Sequence, residues 1–344
     1  MSQSRQAGKR IEAGDAWEAI ERFFDGGLTD GLPIVPPTEA LVARFLEAVH
    51  LPPDQIVGRI PERSIVLTAE KVAANAVMAG CRPEYMPVVL AIVEAICEPK
   101  FNLHGSSAST GGSAQLVIVN GPIAGRLGIN SGVNLFGPGA RANATIGRAV
   151  RLVVMNVVGS IPGVLDKSTM GHPGKYSYCI AEAEDVSPWA PLHVERGLTR
   201  EESAVTVVAA EGPHQVYDHS NNRPEGILGS VAEAMAVCNR GYGTFVVVLC
   251  PEHAGYIAKA GWSKQQVKQF LYDQAQRPVA FYKRTGKTPG TVAPEDEAKL
   301  THVLTSPGAA MVVVGGGMAG GFSAVIPTWG RGAMSAAQTK AVKG

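Results

Sequence analysis

Apolar positions along this chain follow two patterns: three- and four-residue steps over long stretches, and short unbroken blocks. The stepped stretches predict amphipathic helices, and the blocks predict strands buried on both faces. Helices are expected at 15–24, where Gly26-Gly27 stops the pattern, from Thr38 to about 50, over 68–79, and from Pro83 to about 98. Thr38 suits an N-cap, and Pro83 a first helical turn, where its missing N–H would have no partner anyway. The segment 28–38, with its Asp-Gly and Pro-Pro pairs, reads as a loop. Further helices are expected at 141–158, whose last apolar residues fit a strand equally well, and at 226–239, 263–276 and 295–304, the one at 263 opened by the capping-box pair Ser263 and Gln266. Strands are expected at 115–119, 204–210, 244–249 and 311–314. The stretch 176–184 fits another, with Tyr176, Tyr178, Ile180, Glu182 and Glu184 on one face.

Alternation of strand and helix predicts an α/β fold. The pattern breaks at 186–202, around Ser-Pro-Trp-Ala-Pro and a charged stretch. The polar start reads as a flexible tail at 1–14, and the break divides the rest into an N-terminal α/β domain at 15–190 and a C-terminal one at 200–344. The second is expected to hold a parallel sheet flanked by helices, because its strands are continuously apolar.

Composition narrows the function classes. The chain has 344 residues, 45% of them hydrophobic and 18% charged. That profile excludes intrinsic disorder. A formal charge of +1 leaves no basic field for nucleic acid or anionic lipid. No apolar run approaches the roughly 18 residues of a membrane span, and the polar start carries no secretory signal. The five cysteines are widely spaced and odd in number, which predicts reduced thiols in a cytoplasm. Glycine is in excess, at 40 residues against roughly 24 in an average chain of this length.

These glycines concentrate at 105–174 and 308–332, among residues able to do chemistry. In the stretch 102–112, His104 reads as an acid/base or ligand, with Ser106, Ser109 and Thr110 binding polar substrate groups. The alternative is a turn whose hydroxyls satisfy local backbone. The polar loop 120–145 offers Asn130, Ser131, Asn134, Arg141 and Asn143 for substrate binding. An arginine at a helix start opposes the helix dipole, which makes Arg141 a candidate carboxylate or phosphate clamp. In the third cluster His172, Lys175 and Tyr178 are candidates for acid/base work, and Cys179 for a nucleophile or soft ligand. A half-buried strand is the plainer reading there. His214, Asp218 and His219 could hold a metal, or simply form a loop facing the first domain. The run 315–320 fits G-x-G-x-x-G, but too little chain follows it and no acidic residue comes after Glu297, so NAD and FAD are disfavoured. There is no G-x-S-x-G elbow to suggest a hydrolase nucleophile.

The stretches LTDGLPIVPPT (28–38), AGCRPEYMP (79–87), NLHGSSAST (102–110), LGINSGVNLFGPGARANATIGRA (127–149), GHPGKYSYCIAE (171–182) and VVVGGGMAGGFSAVIPTWG (312–330) together resemble a bacterial family without established chemistry. Its members are encoded beside small U-G-S-C proteins, where U is selenocysteine or cysteine, and these look like the selenol-bearing parts of glycine and proline reductases. This chain has Gly320-Gly321 where the family pattern has a Lys-His pair. The resemblance implies a two-component enzyme whose partner protein supplies a reactive thiol or selenol. The expectation is therefore an oligomeric enzyme, or substrate-binding subunit, cleaving a bond in a small polar molecule by reductive or lyase-type chemistry. The alternatives are a self-sufficient, metal-assisted hydratase or hydrolase, and a non-catalytic assembly subunit.

Overall fold

A computed structural model describes residues 11–238 and 243–343. Most of the expected tail at 1–14, and the last position of the helix expected over 226–239, lie outside the described residues. The first third is mainly helical: α1 (Ala16–Asp25), α2 (Glu39–Glu47), the hairpin β1 (Ile56–Ile60) and β2 (Ile65–Thr68), α3 (Ala69–Met78), α4 (Met86–Ile96) and α5 (Leu103–Ala108). There follow β3 (Ala114–Asn120), α6 (Pro122–Leu127), α7 (Arg141–Asn156), β4 (Cys179–Ala181), α8 (Leu192–Glu195), β5 (Ala204–Ala210), β6 (His214–Tyr217) and α9 (Pro224–Cys238). The chain continues through β7 (Phe245–Leu249), α10 (Pro251–Lys259), α11 (Lys264–Gln274), β8 (Gln276–Pro278) and α12 (Val279–Arg284). It finishes with β9 (Leu300–His302), β10 (Ala310–Val314), β11 (Phe322–Pro327) and β12 (Gln338–Ala341).

The fold is α/β, built as two stacked four-stranded sheets with helices outside each. The first sheet has the order β12-β5-β3-β4 and the second β10-β7-β11-β6. Strand alternation divides the core in three. Leu116, Ile118 and Val208 of the first sheet meet Val246, Val313 and Ile326 of the second in a shared middle layer. The intervening Val117, Val119 and Val207 face α3, α4 and α7, while Val247, Val312 and Val325 face α9 and α11. Each such fully buried aliphatic side chain contributes about 1.5–3 kcal/mol.

The sheets are mixed. Only β3–β4 and β7–β10 run parallel, and the other pairs in these sheets are antiparallel. A strand covered by helices on one side and a second sheet on the other is apolar throughout, whichever way its neighbours run. Continuous burial therefore carries no information on strand direction here.

The division at 190–200 does not follow the sheets. β5 pairs along its whole length with β3, and β12 returns to pair with β5, so the first sheet takes strands from both expected domains. The helix expected at 295–304 is instead a 3-10 turn over Pro294–Glu297 followed by β9. The strand expected at 176–184 is reduced to β4. No helix among the described residues is long and apolar enough to cross a membrane.

Candidate active site

At one end of the sandwich β5 and β11 finish while β3, β4, β7 and β10 begin. The backbone of Glu211 there donates to Pro327 and ties the sheets together. Two polar loops meet at this end, the one before β3 and the one before β4. Their contact demands small residues: Gly112, at φ +70°, lies so close to Gly171 that a Cβ would sit 3.2 Å from its backbone. The Thr169 N–H donates to the Thr110 carbonyl across the same seam, at 3.1 Å.

The centre of this region is Asp166, a buried carboxylate that the sequence does not single out. Its Oδ2 accepts from Lys175 Nζ at 2.6 Å and from Arg151 Nη2 at 3.1 Å. Its Oδ1 accepts from the backbone N–H of Ser168 at 3.1 Å and from the Ser168 hydroxyl at 2.5 Å. Lys175 also donates to Ser168 Oγ at 2.5 Å, closing a ring of three side chains. Burial alone would raise the Asp166 carboxyl, but Lys175 and Ser168 outweigh it and hold the group down at about 2. Burial lowers Lys175 from the ordinary lysine value, with Asp166 opposing the shift. The result is an ammonium whose proton is easier to give up than usual, aligned on a hydroxyl, with one N–H left over after two bonds.

His172 and Tyr178 frame this ring. The His172 Nε2 donates to the Ala210 carbonyl at 3.3 Å, and Nδ1 accepts the Gly174 N–H at 3.2 Å. Both nitrogens are engaged and the tautomer is fixed. Burial, helped by the charge of Lys175, lowers its pKa and keeps the ring neutral. Tyr178 packs edge-on against it, at 5.6 Å between centroids, and donates its hydroxyl to the Glu211 carbonyl at 3.1 Å. Burial raises the Tyr178 phenol. These two side chains are struts that fix the loop carrying Lys175.

The loop before β3 supplies the neighbouring wall. His104 is exposed on α5, its Nδ1 accepting from Arg63 Nε at 3.0 Å. Ser106 is buried, 3.5 Å from the Leu103 carbonyl. Ser109 Oγ accepts from Trp329 Nε1 at 2.8 Å, and Thr110 is exposed beside the seam. The structure thus brings Lys175, His172, Tyr178, Ser109 and Thr110 to one end of the molecule, and adds Asp166, Ser168 and Arg151. The Asp-x-Ser spacing of 166 and 168 is a turn signal in which a carboxylate accepts from the backbone two residues on. It is the one clue in the sequence to these two positions.

Other expected residues do not join them. The Cys179 thiol faces the helix layer, and burial raises its pKa, which argues against a nucleophile. Arg141 donates to the Gly80 carbonyl from both Nε (3.2 Å) and Nη2 (3.0 Å). Its charge thus serves the negative end of α3, which explains an arginine at the start of α7. The Asn143 side chain accepts from the Asn130 N–H at 2.7 Å and donates to the Asn130 carbonyl at 3.0 Å, a backbone clamp. Asn134 takes φ 59° and donates to the Pro138 carbonyl at 2.7 Å. The Ser131 carbonyl accepts the Gly316 N–H at 2.9 Å, so these asparagines and glycines shape one another's loops at the opposite end.

No family model, curated protein or solved structure matches the chain. The metal triad does not assemble either. Among the described residues, no group of three His, Cys, Asp or Glu side chains is placed to hold a metal ion. His214 opens β6 while Asp218 and His219 follow its other end, and the Asp218 carboxylate is taken by Asn221 and Ser230. The glycine run 315–320 joins β10 to β11, so it leads into a strand and not into a helix.

At that opposite end lies a cluster the sequence does not reveal. Cys250 caps α10, its sulfur accepting the His253 N–H at 3.5 Å. His253 Nε2 donates to the Asp218 carbonyl at 2.9 Å, and Nδ1 meets Ser323 Oγ at 2.8 Å. Burial pushes the thiol up, but His253 reverses the shift and lowers it, whereas the other four cysteines are raised. All three side chains are buried.

Proposed function

We propose that the chain is an enzyme, or the substrate-holding subunit of one, that cleaves a bond in a small polar molecule at the Ser168–Lys175–Asp166 ring. The observation carrying this reading is a lysine held within 2.6 Å of a buried carboxylate and 2.5 Å of a serine hydroxyl on a partly open loop. Lys175 uses its spare N–H to hold an anionic or carbonyl oxygen and gives up a proton as the leaving group departs. Asp166 keeps the ammonium in place, and Ser168 relays hydrogen bonds between them. In the two-component version the attacking thiol or selenol comes from a partner protein, since Cys179 is turned away from this ring. A second reading, hydrolysis with Ser168 as nucleophile, is favoured by the same short Lys175–Ser168 bond.

The test is substrate loss, followed by mass spectrometry, over a panel of small amino and hydroxy acids with and without dithiothreitol. Turnover that requires the thiol supports the two-component reading. Turnover without it that disappears in Ser168→Ala supports hydrolysis. In either case Lys175→Met is expected to lower the rate by about 100-fold or more, the scale of a lost general acid. A folded Lys175→Met protein that turns over like wild type overturns the proposal.

A further inference from the structure

A second polar concavity lies at the same end of the sandwich, away from Lys175, between the β5–β12 edge of the first sheet and the start of β10. It is a cleft of about 260 Å³. That is just under the roughly 300 Å³ at which pockets for drug-sized ligands begin, a size suited to a small metabolite. Among the described residues Arg196 supplies the only charged side chain in its lining. The Arg196 Nε donates to Thr339 Oγ1 and its Nη2 to the Ala337 carbonyl at 2.7 Å. Two neutral acceptors thus orient the guanidinium plane without neutralising it. No ion pair is made by Arg196 among the described residues, although Glu195 next to it pairs with Lys264 and Lys268.

The remaining polar lining is hydroxyl. Thr244, Thr305 and Ser306 bond through their side chains to no group among the described residues, and Thr328 Oγ1 is enclosed in the wall with no partner. An enclosed hydroxyl without a hydrogen bond is unfavourable, and a ligand oxygen within reach would relieve it. An oriented, unneutralised guanidinium beside several unused hydroxyls and no carboxylate is the donor set that recognises an oxyanion.

We infer that this cleft binds a small molecule through a phosphate or carboxylate group, held by Arg196 and the hydroxyls of Thr244, Thr305 and Ser306. The site is separate from the Lys175 ring and does not rest on the reading of that ring. Calorimetric titration and thermal unfolding of the full chain with inorganic phosphate and with acetate, each against sodium chloride at matched ionic strength, test it. Saturable binding of either anion is expected, phosphate if the natural group is tetrahedral and acetate if it is planar. Arg196→Gln should weaken it by about tenfold or more, Arg196→Lys by less, and Lys175→Met should leave it unchanged. Circular dichroism checks that Arg196→Gln is folded. A wild-type response no different from chloride overturns the site, as does equal binding by folded Arg196→Gln. Loss of binding in Lys175→Met with Arg196→Gln unaffected also overturns it, by moving the anion to the other site.

Discussion

The two ends of the sandwich use similar residue types for opposite purposes. At one end Asp166, Ser168 and Lys175 form a charged ring on a loop that reaches solvent, with Thr110 exposed beside it. At the other, Cys250, His253 and Ser323 form an uninterrupted hydrogen-bonded chain that is buried throughout. Both contain a group shifted toward its charged form, Asp166 in one and Cys250 in the other. A shifted group is a functional candidate only where a substrate can reach it, and that separates the two. At the buried end Asn120 Oδ1, Glu182 Oε1 and both nitrogens of His193 make no hydrogen bond among the described residues. Burial raises the Glu182 carboxyl.

The comparison is most exposed to failure at Asp166. Asp166→Ala leaves the buried Arg151 and the half-buried Lys175 without their shared carboxylate. It should cost about 3–5 kcal/mol in denaturant unfolding. A loss below about 1 kcal/mol would mean that the ring is as loosely held as a surface ion pair.

Acid titration comes next. The folded Asp166 carboxyl sits at about 2, below the unfolded value, so its contribution is complete above pH 4 and fades as pH falls through 4 toward 2. The depression amounts to about 2 kcal/mol, and Asp166→Asn should remove that acid limb from the stability profile. An unchanged profile would assign the acid sensitivity to other carboxyls.

The smallest effect is expected at the buried end. Cys250→Ser keeps an N-cap acceptor for the His253 N–H and should shift stability by less than about 1 kcal/mol. A change in turnover with stability preserved would instead give Cys250 a chemical role and erase the contrast between the ends.

Much of the framework was legible in the sequence. The blocks that became β3, β5, β7 and β10 are apolar enough to be read directly, and Thr38 and Ser263 cap helices as their spacing predicts. What escaped was whatever lacks an apolar pattern. β12 is Gln-Thr-Lys-Ala, partly exposed at every position, and β6 buries only Val216. Such strands exist because a neighbour offers free backbone groups, not because their own side chains demand burial. The candidate site divided in the same way. His172 and Lys175 stand out in a glycine-rich loop, whereas Asp166 and Arg151 become partners only through packing of α7 against that loop. Arg141 reads from the sequence as a ligand clamp because its actual acceptor, the Gly80 carbonyl, is distant along the chain.

The return of β12 to the edge of β5 has a consequence for how the protein is made. Ala341 pairs with Ala204 and Gln338 with Val207, so the first sheet cannot acquire its last strand until nearly the whole of this sequence has left the ribosome. Until then β5 presents an open edge of unpaired backbone groups to the cell. Bringing such distant segments together is a slow, entropically costly closure. During synthesis that edge is the place where a chaperone, or a neighbouring nascent chain, would compete with the native strand.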